Sequence, residues 1–77
     1  MIRKKILPEY FDAVQKRQKN FELRKDVDNI QVDDTLILEE WDGKYTGNFT
    51  ERKVTYVLRN VPEYGLRDGY CIIGWLW

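Results

Sequence analysis

Three charged side chains, Lys19, Glu22 and Arg24, lie within one six-residue segment and alternate in sign. An arginine guanidinium matches phosphate oxygens or the acceptor edge of guanine, whereas a carboxylate accepts hydrogen bonds from amines such as that of cytosine. On a rigid element, two cations and an anion could therefore grip a phosphate, a base edge or a polarised carbonyl. The competing interpretation is structural, because mixed charges on the exposed face of a strand often form ion pairs that add little stability.

A helix is predicted immediately before this segment. Pro8 fits a first helical turn, where its missing N–H costs nothing, and the pattern continues to about Lys16. The apolar positions at helical spacing are Tyr10, Phe11 and Val14. We expect Tyr10 and Phe11 to pack in the core. Lys16 and Arg17 lie near the helix C-terminus, where they complement the helix dipole and extend the basic character of the segment.

A short strand over residues 20–25 is predicted to carry the charged groups. At a period of two, Phe21 and Leu23 share one face, and Glu22 and Arg24 share the other. We therefore expect the apolar pair to be buried and the charged pair to point outward.

Four further strands are predicted from apolar alternation and turn residues, over residues 3–6, 35–41, 51–61 and 70–77. Together these elements favour an α+β fold, a small β-barrel of about five strands with one main helix packed at its side. Residues 41–49 are predicted to form a long hairpin tip. Its aromatic residues could stack on unpaired bases or fold back over the barrel, and they are Trp41, Tyr45 and Phe49.

The length of 77 residues predicts a single domain, residues 1–77, with a core that contains large rings, since 14% of the residues are aromatic. The formal net charge is zero, which argues against strong non-specific binding to polyanions. Its distribution is uneven, however. Residues 1–25 contain eight basic and three acidic side chains, and residues 26–77 contain five basic and ten acidic ones. Segregated charge of this kind suits a protein that meets a polyanion with one face, provided that the segregation survives folding.

The presence of one cysteine and no histidine rules out several types of catalytic and metal-binding site. Cys71 is the one cysteine and there is no histidine, so an internal disulfide, the usual zinc ligand sets and histidine-based catalytic triads are excluded. No metal and no cofactor is predicted. No apolar run reaches the length of a membrane helix, and the first residues lack the apolar stretch of a signal peptide. A cytoplasmic, metal-free protein is the simplest expectation.

The charged segment resembles the signature of the ASCH family, a branch of the PUA-like superfold in which Gly-x-Lys-x-x-Glu-x-Arg follows the first helix. Lys19, Glu22 and Arg24 match that signature. The resemblance extends over most of the chain. Further segments resemble a small phage and bacterial branch of this family whose function is unassigned, and these are residues 6–14, 32–41, 45–47 and 64–70. Arg17 and Asp33 depart from the pattern, because both occupy turn positions where the family usually has glycine.

This resemblance implies a PUA-like barrel that engages RNA, or a nucleotide, in the cleft between the first helix and the barrel. Lys19 and Arg24 would contact phosphate or a base edge, and Glu22 would orient Arg24 or accept from an exocyclic amine. Lys16 and Arg17 would add positive charge beside them. RNA with unpaired bases is favoured over duplex DNA, because a small barrel has no spare helix for a major groove.

Two other functions stay open. Some ASCH proteins resemble small amidohydrolases of N4-acylated cytidine, which implies catalytic roles for Lys19 and Glu22, although a hydroxyl residue aligns with Glu22 in those enzymes. A third acid would be needed, and the candidates are Glu39, Glu40, Glu51 and Glu63. Alternatively, the chain is a protein-interaction module whose aromatic patch consists of Trp41, Tyr45, Phe49 and Trp77. The sequence leaves the oligomeric state open.

Overall fold

Five strands and one α-helix make up the fold in the computed structural model, which describes residues 1–77. In chain order they are β1 (Ile2–Ile6), α1 (Pro8–Gln15), β2 (Phe21–Lys25), β3 (Thr35–Trp41), β4 (Tyr45–Leu58) and β5 (Tyr70–Trp75). A 3-10 turn, Pro62–Tyr64, separates the last two strands. The predicted α+β class is confirmed, and the helix begins at Pro8 as its sequence indicates.

The five strands form one open mixed sheet in the order β1-β3-β4-β5-β2, so the predicted closed barrel is wrong. The strand β1 is parallel to β3, and the other neighbouring strands are antiparallel. The outer strands β1 and β2 do not pair. Side chains from the end of β1, from the start of α1 and from β2 line the space between them. One side chain crosses this gap, since the guanidinium of Arg24 donates a hydrogen bond to the backbone carbonyl of Lys5.

The core lies between the inner face of this sheet and α1. The helix contributes Phe11 and Val14, and β5 contributes every second residue, as its alternation predicts. The buried residues of this cluster are Ile6, Phe11, Val14, Ile30, Leu36, Leu38, Val54, Cys71, Ile73 and Trp75. Because the helix fills the open side of the sheet with apolar side chains, a core forms without closure of the sheet.

The β3–β4 hairpin is tighter than its sequence indicates. Its turn spans residues 42–44, where the Asp42 N–H donates to the Lys44 carbonyl at 2.9 Å, and β4 already begins at Tyr45. The predicted long tip is therefore wrong, because the Asp42-Gly43 turn is followed directly by strand pairing. A bulge between Glu39 and Trp41 adjusts the register. At its other end β4 stops at Leu58, and β5 stops at Trp75, both before the predicted positions.

The helix α1 ends in a Schellman motif with an arginine at the left-handed position. The Arg17 N–H donates to the Val14 carbonyl at 3.0 Å and the Gln18 N–H to the Ala13 carbonyl at 2.9 Å. Arg17 has a φ of 61°, and Asp33 has a φ of 78°. Both positions that carry a side chain in place of the expected turn glycine thus adopt the backbone that glycine prefers.

We expect Arg17→Gly to raise the free energy of unfolding by about 1 kcal/mol, because glycine removes the side-chain clash of the left-handed backbone. Arg17→Ala is the matched control, since it removes the same charge and ring contact but keeps a Cβ. Urea denaturation of the three proteins measures the difference. Equal stability of the glycine and alanine variants would contradict a strained cap.

The side chain of Cys71 is buried in the core, and this burial, helped by the Asp26 carboxylate, raises the pKa of its thiol above the ordinary value of 9.0. Because the thiol has a higher pKa in the folded than in the unfolded protein, its protonation stabilises the fold, and this contribution is complete below the unfolded pKa. The contribution is lost as the pH rises from the unfolded pKa through the folded pKa. We expect wild-type stability to fall more steeply than that of Cys71→Ala above about pH 9, by up to about 1.4 kcal/mol per pH unit. Denaturation curves of both proteins across this range test the expectation, and parallel profiles would contradict it.

Candidate functional site

The strand β2 carries the charged residues, but it presents the opposite face from the one predicted. Glu22 is 6% exposed, whereas Phe21 is 48% and Leu23 58% exposed. Residues directly opposite each other on antiparallel strands share a face, and Glu22 lies opposite the buried Ile73 of β5. The position of β2 at the sheet edge allows this, because the apolar side chains need only half-burial there.

Lys19, Glu22 and Arg24 converge and form what we call the charge cluster. The Nζ of Lys19 donates a hydrogen bond to Oε1 of Glu22. The Nε of Arg24 donates to Oε2 of Glu22 at 3.0 Å. One nearly buried carboxylate thus holds two partly buried cations, and the cluster retains a net charge of one positive unit.

The charge cluster lines an open cavity of about 360 Å³ between the sheet edges, which we call the charged cleft. Its other lining residues are Ile6, Leu7, Tyr10, Phe21 and Leu23. A volume of this size lies at the lower end of the range for small-molecule sites in proteins. The three charged side chains therefore meet in one concavity beside the helix, and the binding roles expected of them stay a prediction.

Two aromatic rings flank the ammonium group of the charged cleft. The Nζ of Lys19 lies 5.3 Å from the centre of the Tyr10 ring and 5.2 Å from that of Phe21, within the range of cation–π attraction. Tyr10 is 46% exposed, so its predicted place in the core is wrong, whereas that of Phe11 is confirmed. Tyr10 points from the first turns of α1 towards the gap between the strands, which the helical period alone could not reveal.

The main chain of β2 adds unpaired hydrogen-bonding groups to the charged cleft. The Asp26 N–H donates to the Gly69 carbonyl, and the Trp75 N–H donates to the Asn20 carbonyl. This register directs the main-chain groups of even-numbered β2 residues to β5 and those of Phe21 and Leu23 away from it. An edge strand with free N–H and C=O groups can bind a partner through its main chain.

The predicted basic face does not form as one patch. Of the eight basic side chains in residues 1–25, five pair with carboxylates, and these are Arg3, Lys4, Lys16, Lys19 and Arg24. Lys16 pairs with Asp12 at 2.9 Å on the exposed side of α1, and Arg17 lies against Trp77. Neither Lys16 nor Arg17 lines the charged cleft, because the chain turns sharply after the helix.

The three aromatic residues predicted as one stacking group are divided between two places. The rings of Trp41 and Tyr45 meet edge to face at 5.0 Å, and the Nζ of Lys5 lies 3.9 Å from the centre of the Trp41 ring. Phe49 instead borders a shallow depression of about 250 Å³ with Phe11. None of the three lines the charged cleft, because the tight turn places them along the hairpin strands.

The described residues hold no further acid in the charged cleft. Glu39 pairs with Arg3, and Glu40 accepts hydrogen bonds from Thr46 and Asn48. The structure groups no three acidic, cysteine or histidine side chains that could hold a metal ion. Its helices are also too short to include an apolar segment of membrane-spanning length.

Comparison with known proteins places this chain in a family. The family model described as "Domain of unknown function (DUF3850)" matches residues 3–75. The chain is also 43% identical over 54 residues to the "Uncharacterized 12.9 kDa protein in GpA 3'region" of Escherichia phage P2, an alignment that covers 69% of this chain and 50% of the phage protein. The chain thus spans about half the length of that relative. Because the family model covers nearly the whole chain, from β1 to the end of β5, the protein belongs to the DUF3850 family.

Proposed function

We propose that this protein binds single-stranded RNA by taking one unpaired base, or a nucleotide, into the charged cleft. The observation that carries the proposal is the convergence of Lys19, Glu22 and Arg24 on a cavity that also exposes aromatic rings and main-chain groups. The match of these three residues to the ASCH signature supports the same function. We propose on that basis that the domain is a small, open relative of the PUA-like fold.

The chemistry of the charged cleft suits a nucleobase with a phosphate nearby. Lys19 uses one of its three N–H donors on Glu22, which leaves the others for a phosphate oxygen or a base acceptor. The free main-chain N–H and C=O groups of Leu23 offer a donor and an acceptor to a base edge. The exposed ring of Tyr10 or Phe21 provides a surface on which a base can stack.

The same geometry favours an unpaired base over a duplex. A cavity of about 360 Å³ admits one base but not a double helix. The helix α1 is eight residues long and packs Phe11 and Val14 into the core, so it is not free to enter a major groove. Binding is therefore expected to require a strand whose bases can turn outward.

Hydrolysis of an acylated cytidine is less well supported by the geometry. Glu22 is the one acid in the charged cleft, and both of its oxygens already accept hydrogen bonds from cations. A carboxylate so engaged is poorly placed to activate water, and no second acid lines the cavity to replace it. These contacts support binding in preference to hydrolysis.

Fluorescence anisotropy with labelled homopolymeric oligonucleotides tests the proposal. We expect single-stranded RNA to bind more tightly than the matching duplex, and the affinity to fall as salt is added. Lys19→Ala should weaken binding about tenfold, the effect of losing one charge-assisted hydrogen bond, while Arg24 still pairs with Glu22. Single-stranded DNA of the same sequence measures the contribution of the 2′-hydroxyl.

Lys44→Ala is the matched control, because Lys44 is an exposed lysine in the hairpin turn and its loss changes the net charge equally. We expect this variant to bind like the wild type. Equal affinity of the Lys19 and Lys44 variants would refute the charged cleft as the binding site. Release of acid from N4-acetylcytidine that depends on Lys19 would show catalysis instead.

A further inference from the structure

A second group of cations lies outside the charged cleft, where two arginines surround one indole ring. The guanidinium carbon of Arg52 lies 3.3 Å from the centre of the Trp77 ring, and that of Arg17 lies 4.9 Å from it. Both distances are within the range of cation–π contacts. We call these three residues the arginine cluster.

The arginine cluster has no acidic side chain as a partner. Three other arginines each pair with a carboxylate, and these are Arg3, Arg24 and Arg59. Neither Arg17 nor Arg52 takes part in any ion pair of the structure, although the chain has as many acidic as basic side chains. Two like charges thus lie against the same ring, an arrangement that is unfavourable without an anion nearby.

Arg52 occupies an unusual position for an unpaired cation. It alternates with the buried Thr50 and Val54 along the inner face of β4. One terminal nitrogen donates to the Thr50 hydroxyl at 2.7 Å, but its Nε is buried and has no hydrogen-bond partner. Burial, together with the charge of Arg17, lowers the pKa of Arg52. The buried Nε is out of reach of a ligand, but a partly desolvated guanidinium without a charged partner is expected to bind an anion through its terminal N–H groups.

The charge and the donor geometry select the class of ligand. Two guanidinium groups offer several N–H donors in planar forks, which suit the tetrahedral oxygens of a phosphate. Arg52 and Arg17 already contact the ring of Trp77, so the ring serves to orient the guanidinium groups rather than to stack a base.

We propose that the arginine cluster is a phosphate-binding site and, resting on the function proposed above, that it takes a backbone phosphate of the RNA strand whose base enters the charged cleft. Arg17 precedes Lys19 by two residues, so their Cα atoms are at most about 7.6 Å apart. This closeness in the chain supports the proposal that one strand spans both sites. Nothing in the sequence pattern marks Arg52 for this role, because it lies on a different strand from the charged segment.

Nuclear magnetic resonance of the tryptophan indole and arginine Nε–H signals tests the site directly. Inorganic phosphate, and separately a single-stranded RNA of about eight nucleotides, are titrated into the wild-type protein. We expect both probes to shift the signals of Trp77 and Arg52. In Arg52→Gln the phosphate affinity should fall about tenfold, and the salt dependence of RNA binding should fall by about 0.7 in the logarithmic slope.

Arg17→Gly separates binding from folding, because it should stabilise the helix end and yet weaken phosphate binding about tenfold. Arg67→Gln is the matched surface control, since Arg67 is exposed and lies outside the cluster. If phosphate and RNA leave the Trp77 signals unchanged, the site is refuted. It is also refuted if both arginine variants bind phosphate and RNA like the control.

The two proposals can fail separately. RNA binding that depends on Lys19 but not on Arg52 would refute the phosphate site and leave the function of the charged cleft intact. Binding of inorganic phosphate at Trp77 without any binding of RNA would support the phosphate site, and it would refute both the proposed function and the shared strand.

Discussion

Replacement of Glu22 by alanine is expected to lower the free energy of unfolding by about 3 kcal/mol. Glu22 is nearly buried, and its two oxygens accept hydrogen bonds from Lys19 and Arg24. Loss of the carboxylate leaves two partly buried cations without a partner, which costs about 3–5 kcal/mol in a buried ion pair. The lower value is expected because both cations keep some contact with solvent and can turn towards it.

Chemical denaturation of the wild type and of Glu22→Ala measures this loss. Glu51→Ala is the control, since Glu51 is an exposed glutamate of β4 and its loss should change stability by less than about 0.5 kcal/mol. A variant with apolar residues of similar size at positions 19, 22 and 24 should recover much of the stability, because no charge is then left unpaired. That variant should still fail to bind RNA. Recovery of binding together with stability would show that the charge cluster is purely structural.

Removal of the Arg59 side chain is the second change with a large expected effect. Nε and one terminal nitrogen of Arg59 donate to the two carboxylate oxygens of Asp26 at 2.7 and 3.1 Å, and the terminal nitrogen also donates to the Ile30 carbonyl at 2.7 Å. These hydrogen bonds hold the connection between β2 and β3, residues 26–34, against the end of β4. Arg59→Ala should therefore lower the free energy of unfolding by about 3 kcal/mol.

This loss should not vary between about pH 5 and 9. The hydrogen bonds that Arg59 donates to the Asp26 carboxylate raise the pKa of Arg59. The stabilising effect is therefore complete below the unfolded pKa and is lost only as the pH rises through the folded one, far outside this range. Arg59→Lys should restore only part of the stability, because an ammonium cannot form the two-pronged contact. Arg67→Ala, which removes an exposed arginine, should have little effect. Equal denaturation midpoints of the Arg59→Ala and Arg67→Ala variants would contradict the proposed stabilisation of the β2–β3 connection by Arg59.

Local patterns in the sequence determined the elements of this fold. Pro8 and the apolar spacing after it defined the helix, and alternation in β5 identified Cys71, Ile73 and Trp75 as core residues. Residue type and spacing left the charged segment open between surface ion pairs and a binding site, and the resemblance to the ASCH signature selected it as the candidate site. Each of these features depends on residues a few positions apart, whose relative directions are fixed by the periods of helix and strand.

Only the tertiary structure decided which face of β2 is buried and whether the sheet closes. Alternation separates Phe21 from Glu22 but does not say which of them faces the core, and the pairing with β5 placed the carboxylate inside. The open sheet, the contact of Arg24 with the Lys5 carbonyl and the meeting of Arg17, Arg52 and Trp77 all join residues far apart in the chain. Such contacts depend on strand order and register, for which a single sequence carries no local signal. The shape of the charged cleft and the arginine cluster both depend on contacts of this kind.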